Sequence, residues 1–164
     1  MASEKKSRLR GTVACTVHRV LGGGKGGGGG AGAKILTIKD EAEFERLVLR
    51  PSPDAGLRPA GPAARPVMVV FYKGGCPTCL VLYPVLKCLA EEYGDRVLFA
   101  SFEIMKPYFV VTAKAVKKRY RIAYFPTVVL FVGGQERKRW VLRYRAASYR
   151  RTLDKVLASG AAAR

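Results

Sequence analysis

Six consecutive apolar residues, Val67 to Tyr72 (VMVVFY), constrain the fold of this chain more than any other stretch. A continuous apolar run of this length, closed off by Gly74-Gly75, predicts a central strand buried on both faces. It is also the longest apolar run in the chain, far short of the ~20 residues that a membrane-spanning helix needs, which argues against a transmembrane anchor. With 164 residues and a hydrophobic fraction of 49%, the chain has room for one domain with a real core and tails. Four cysteines in a chain of this size do not make a disulfide-framework miniprotein.

Charge is unevenly spread. The formal net charge is +18. Residues 106–164 hold 15 basic residues against 2 acidic ones, whereas residues 67–105 hold 3 against 4. Residues 1–33 are also basic, with six Lys and Arg against Glu4, and Gly22 to Gly32 is glycine interrupted mainly by Lys25 and Ala31. Glycine loses the most backbone entropy on folding and buries no side chain. Residues 1–33 are therefore expected to form a disordered basic extension with a flexible linker. An organelle transit peptide is the competing reading, against which stand Glu4 and the scarcity of Ser. No 7–15-residue apolar core of a secretory signal is present, so a cytoplasmic, reducing setting is expected.

The folded part is expected over residues 34–158, with 159–164 as a flexible tail. Lys34 to Ile38 alternates and reads as a short strand. Asp40 caps a predicted helix to about Leu49, with Phe44, Leu47 and Val48 as its apolar stripe. Pro51 to Pro66 reads as an irregular loop. After the VMVVFY strand come a helix from Pro77 to Tyr93 with Val81, Leu82, Val85, Leu86 and Leu89 inward, and a strand over Val97 to Ile104. Then follow a helix over Val111 to Tyr120, a strand over Thr127 to Val132 and a return strand over Arg137 to Tyr144. A helix over Ser148 to Ala158 closes the domain. The order β-α-β-α-β-α-β-β-α predicts an α/β fold with a mixed sheet.

Between the buried strand and its helix lies Cys76-Pro77-Thr78-Cys79. The first cysteine falls just beyond a helix N-terminus, where unpaired N–H groups and the helix dipole favour an anion. Its thiol should be acidified, and the thiolate is the reactive form. Two intervening residues bring the second sulfur within disulfide reach, and Pro77 suits the first helical position because its missing N–H would have no partner there. Two other readings compete: half of a zinc site, which needs about four ligands and has only Cys15, His18 and Cys88 to draw on, and a purely structural disulfide. Cys88 shares a helix face with Val81, Val85 and Leu89 and reads as a small buried hydrophobe. Lys73 is either a stabiliser of the thiolate or an exposed strand-end lysine.

These residues resemble the thioredoxin superfamily over roughly Lys34 to Ala158. VMVVFY leading into CPTC matches the family's central strand and redox motif, and Pro84 its helix-kinking proline. Phe125-Pro126-Thr127 before VVLF matches the cis-proline strand, Gly133-Gly134 the hairpin turn, and Tyr149 to Leu157 the closing helix. Cys-Pro-x-Cys is also similar to glutaredoxins, but the Phe-Pro-Thr segment and the hairpin favour the thioredoxin side. The resemblance implies a thioredoxin-like fold, with a mixed central sheet flanked by helices, and a thiol–disulfide oxidoreductase in which Cys76 attacks and Cys79 resolves. It implies a cis Pro126, and substrate contacts from Gly75, Pro77, Thr78, Phe125, Pro126 and Thr127. No metal or organic cofactor is implied. The expected partners are disulfide-containing or acidic protein substrates and a reductase or other electron donor, with the protein itself a monomer. Two departures stand out: typical members read Trp-Cys-Gly-Pro-Cys, and Val70 stands where they carry a buried acid that assists proton transfer from the resolving cysteine. The span from Cys79 to Pro126 is also a few residues longer, with the extra residues expected near Lys106 to Val111.

The alternative reading is a thioredoxin-fold binding module whose basic last third holds an acidic partner or nucleic acid. Arg137, Lys138, Arg139, Arg143 and Arg145 flank Trp140 and Tyr144, a mixture that can grip a nucleic acid strand by charge and stacking. Strand parity speaks for a plainer arrangement: Arg137, Arg139, Arg143 and Arg145 on a solvated face, and Trp140, Leu142 and Tyr144 on the core face.

Overall fold

The computed structural model describes residues 35–50 and 65–161. The expected N-terminal extension with Cys15 and His18, most of the Pro-rich loop, and residues 162–164 lie outside the described residues. Five strands form one sheet in the order β1-β3-β2-β4-β5: β1 is Leu36–Ile38, β2 Val67–Lys73, β3 Leu98–Met105, β4 Thr127–Val132 and β5 Gln135–Val141. β1 and β2 both pair with β3 in parallel, while β4 runs antiparallel to β2 and β5 antiparallel to β4. The sheet is therefore mixed, with the VMVVFY strand at its centre.

Alternation along β2 explains why its run is apolar throughout. Val67, Val69 and Phe71 enter one core with Phe102, Ile104, Val129 and Phe131. Met68 and Val70 enter the other, with Phe99, Val128 and Leu130. The first layer is closed by α1 (Glu41–Phe44) through Phe44 and by α3 (Lys114–Arg119) through Val116. The second is closed by α2 (Pro77–Tyr93) through Leu82, Val85, Leu86 and Leu89, and by α4 (Ala146–Ala161) through Tyr149 and Leu153.

Local chemistry sets the element boundaries. Asp40 caps α1 as expected, its Oδ1 accepting from the Glu43 N–H at 2.7 Å. Glu43 in return accepts the Lys39 N–H at 2.8 Å. From Glu45 to Leu49 the helix widens into a π turn, with the Arg50 N–H donating to the Glu45 carbonyl at 2.9 Å. Its last carbonyl, on Leu49, abuts Gly134 at the β4–β5 turn. α3 begins later than the predicted Val111. The preceding backbone is committed to a tight return, in which Lys106 N–H donates to the Val110 carbonyl at 2.8 Å and Thr112 N–H to Ile104 at 3.1 Å. The start of α3 is capped from α1, as Glu41 Oε1 accepts the Ala115 and Val116 N–H groups at 2.8 and 3.2 Å. A carboxylate there satisfies unpaired donors and complements the helix dipole.

Two inward assignments are corrected. Val81 is 63% exposed, because the buried stripe of α2 follows Leu82, Val85, Leu86, Leu89, Ala90 and Tyr93 and leaves Val81 one residue off it. Leu142 is 45% exposed, because β5 ends at Val141 and Leu142 adopts φ 51°. Its N–H there donates to the Pro126 carbonyl at 3.2 Å. Trp140 is buried as parity predicts and lies 4.8 Å from the Tyr149 ring.

Candidate active site

Gly74 and Gly75 turn the chain from β2 into α2. A Cβ on Gly74 would collide with the Glu103 carboxylate and lie 2.7 Å from Pro107 Cδ. Gly75 has φ +70°, a conformation that L side chains rarely adopt. The glycine that stands where typical family members carry Trp thus answers a backbone requirement. Cys76 is the N-cap of α2, at φ −90° and ψ 108°, with Pro77 in the first turn. Its carbonyl accepts the Cys79 N–H at 3.1 Å and the Leu80 N–H at 3.4 Å, closing the first turn around the two sulfurs.

Cys76 and Cys79 are joined by a disulfide with a Cα–Cα distance of 5.4 Å. Both residues are half-buried, so the bond lies at the surface end of the helix. Thr78 is exposed, and its hydroxyl lies 3.1 Å from Cys76 Sγ and donates to the Phe125 carbonyl at 3.3 Å. That bond spans 47 positions and ties the redox motif to the strand opposite it. The Phe125-Pro126 peptide is cis. Pro126 and Thr127 are buried, and the Thr127 hydroxyl donates to the Tyr124 carbonyl at 2.7 Å, bracing the same turn. Cys76, Pro77, Thr78, Phe125 and Pro126 are thus brought together. Gly75 adjoins them in the turn, and Thr127 contributes backbone support from below.

Other candidates fall elsewhere. Lys73 ends β2, half-buried, where the pairing with β3 shifts register. Cys88 is half-buried in α2, nine positions beyond Cys79. Val70 is buried, with Ser101 beside it on β3 and Val128 on β4, so no carboxylate occupies that place. Sequence reasoning did not single out the exposed apolar residues that adjoin the motif along the chain. Leu80 is 74% exposed, and Tyr124, immediately before Phe125, is 64% exposed. For Val81, the neighbour of Leu80, the signal was available in its offset from the helix stripe.

A mixed sheet with helices on both faces, a disulfide at the N-terminus of the helix after the central strand, and a cis-proline strand linked to it define a thioredoxin-fold disulfide exchanger. The comparisons agree. The thioredoxin family model matches residues 59–157, and the chain belongs to that family. It is 31% identical over 101 residues to the thioredoxin of Acidithiobacillus ferridurans, covering 62% of this chain and 76% of that protein. It is 30% identical over 93 residues to the bifunctional thioredoxin reductase/thioredoxin of Mycobacterium leprae, covering 57% of this chain and 19% of that protein. The crystal structure of Malassezia sympodialis thioredoxin matches with a TM-score of 0.56 at 17% identity, over 74% of this chain and 90% of that one, and supports the fold. The protein is a thiol–disulfide oxidoreductase. Among the described residues no helix is long and apolar enough to cross a membrane.

Proposed function

We propose that Cys76 is the attacking cysteine and Cys79 the resolving one, and that the protein reduces disulfides in protein substrates. The observation that carries this reading is the Cys76–Cys79 disulfide, with Cys76 placed as the N-cap of α2. In the reduced state the Cys76 thiolate, favoured by the helix N-terminus, attacks one sulfur of a substrate disulfide. That S–S bond breaks, a mixed disulfide forms, and the departing substrate thiolate takes a proton. Cys79 then loses its proton and attacks Cys76 Sγ. This breaks the mixed disulfide, re-forms the Cys76–Cys79 bond and frees the second substrate thiol. Two electrons pass to the substrate, and a reductase or comparable dithiol donor restores them.

Half-buried Phe125, whose carbonyl meets the Thr78 hydroxyl, forms with Gly75, Pro77 and Thr78 the surface along which an extended substrate lies. Pro126 and Thr127 hold that backbone in place. The basic last third selects among substrates. Residues 106–124 contain six Lys and Arg and no acidic residue, and this stretch leads directly into Phe125 and Pro126. Trp140, the ring among the arginines of β5, is buried against Tyr149, and the chemistry of the site acts on protein disulfides, so the charge is read as favouring acidic protein segments. The reaction is tested by dithiothreitol-driven reduction of a protein disulfide. The parent is expected to catalyse it and Cys76→Ser to abolish the catalysis, while Cys79→Ser accumulates a mixed disulfide on Cys76. A Cys76→Ser protein as active as the parent contradicts the reading.

A further inference from the structure

Thr78 has one hydroxyl proton and two acceptors. Its Oγ1 lies 3.1 Å from Cys76 Sγ and 3.3 Å from the Phe125 carbonyl oxygen. With the disulfide formed, Cys76 Sγ is a neutral and weak acceptor, and the proton goes to the carbonyl. Reduction changes the balance. A thiolate is an ionised acceptor, and charge-assisted hydrogen bonds are roughly twice as strong as neutral ones. A rotation of the O–H then carries the proton from the carbonyl to the sulfur without any movement of the backbone.

We propose that Thr78 is a redox-coupled positioning residue: in the reduced protein its hydroxyl stabilises the Cys76 thiolate and releases the Phe125 carbonyl to accept a hydrogen bond from an extended substrate, and in the disulfide form it takes the carbonyl back. The proposal rests on the roles of Cys76 and Phe125 set out above. It adds a link between them, because the electron state of the sulfur decides whether the backbone acceptor beside it is open. The dithiol form offers substrate both a nucleophile and a docking acceptor. After exchange the hydroxyl again competes for the carbonyl, taking one of its two lone pairs, which weakens the hold on the product. No bond other than a hydrogen bond is made or broken in this step, and the proton that leaves the Cys76 thiol goes to solvent.

The test compares the full chain with Thr78→Val, which removes the hydroxyl at nearly constant shape, and Thr78→Ser, which keeps it. Cys76 acidity is read from the pH dependence of its alkylation by iodoacetamide, assigned by peptide mass. The potential of the pair is read by equilibration in dithiothreitol redox buffers. Thr78→Val is expected to make Cys76 about tenfold less acidic, a change of about 1.4 kcal/mol. The potential should become about 30 mV more negative, the same energy in a two-electron couple. Thr78→Ser should match the parent. Oxidised Thr78→Val should hold an extended substrate-like peptide, with serine in place of its cysteine to prevent exchange, more tightly than the oxidised parent does, because no hydroxyl competes for its Phe125 carbonyl. A Thr78→Val protein with the parent's alkylation profile and potential overturns the proposal, as does a serine variant that behaves like valine. Equal peptide affinities of the oxidised parent and oxidised Thr78→Val overturn its docking half. A parent whose Cys76 and Cys79 do not exchange with the buffer at all removes the underlying reading instead, and the parent titration reports that separately.

Discussion

The two cysteines were legible because their chemistry is written in spacing: two intervening residues at a helix start set the sulfurs within reach. The cis Pro126 came from the family resemblance, since a proline at the head of a strand is by itself compatible with an ordinary trans bond. Thr78 was not legible in the same way. Its second partner lies 47 positions away, and only the packing of α2 over β4 brings the two together. Glycine positions carry a related lesson, since Gly134 is forced both by φ +77° and by a neighbour: an added Cβ would meet the Leu49 carbonyl oxygen at 2.5 Å. Gly134→Ala is therefore expected to destabilise the protein by about 2 kcal/mol. Urea unfolding checks it, and a midpoint equal to the parent's contradicts the account of this turn. Leu89, fully buried in the layer beneath α2, should cost about 2–5 kcal/mol on truncation to alanine. The same unfolding curve reads that loss.

At the level of elements, among the described residues, periodicity found the five strands and the four α-helices and misjudged several of their bounds. For α3 and β5 the reason is the same: backbone hydrogen bonds were claimed by partners that hydropathy does not encode. The Ala115 and Val116 amides, which would bond back to Val111 and Thr112 if α3 began there, go to Glu41 instead, and Thr112 itself donates to Ile104 in the return. Pro107 in this return packs beside the Gly74-Gly75 bend. β5 stops at Val141 because Leu142 turns to donate to Pro126, joining the end of the hairpin to the cis-proline segment. The capping of α3 by Glu41 gives a test at this scale. Glu41→Ala leaves the Ala115 and Val116 amides without their carboxylate and should lower stability by about 1 kcal/mol. A Glu41→Gln variant, which keeps an acceptor but not the charge, should fall between the two. If Glu41→Ala unfolds with the parent, the cap contributes nothing.

For the molecule as a whole, the fold is held by two apolar layers, and the charge of +18 bears on the proposal that acidic substrates are favoured. Reduction of an acidic disulfide peptide should have a KM that rises steeply with salt, and a neutral peptide should show little change, because screening weakens only the charged encounter. Equal salt dependence for both peptides contradicts a substrate-selecting role for the basic segment. Alkaline pH probes the second layer. Burial, then the hydrogen bond to Asp154, pushes the Tyr93 hydroxyl well above the ordinary tyrosine value of 10.0, and burial does the same to Tyr149. The fold thus favours the protonated rings. The stability they contribute is complete below about pH 10 and declines as pH rises toward their folded-state values. Thermal midpoints should fall above that pH, and less so in Tyr93→Phe.

The central claim is that Cys76 and Cys79 are one two-electron couple at the head of α2. It is tested most directly by equilibrating the full chain across a series of dithiothreitol redox buffers and mapping alkylation at each cysteine by mass. The account predicts that Cys76 and Cys79 become alkylatable together in a single two-electron transition, with Cys76 reacting faster once reduced. Independent transitions at the two cysteines, or a pair that never opens across the series, would contradict it.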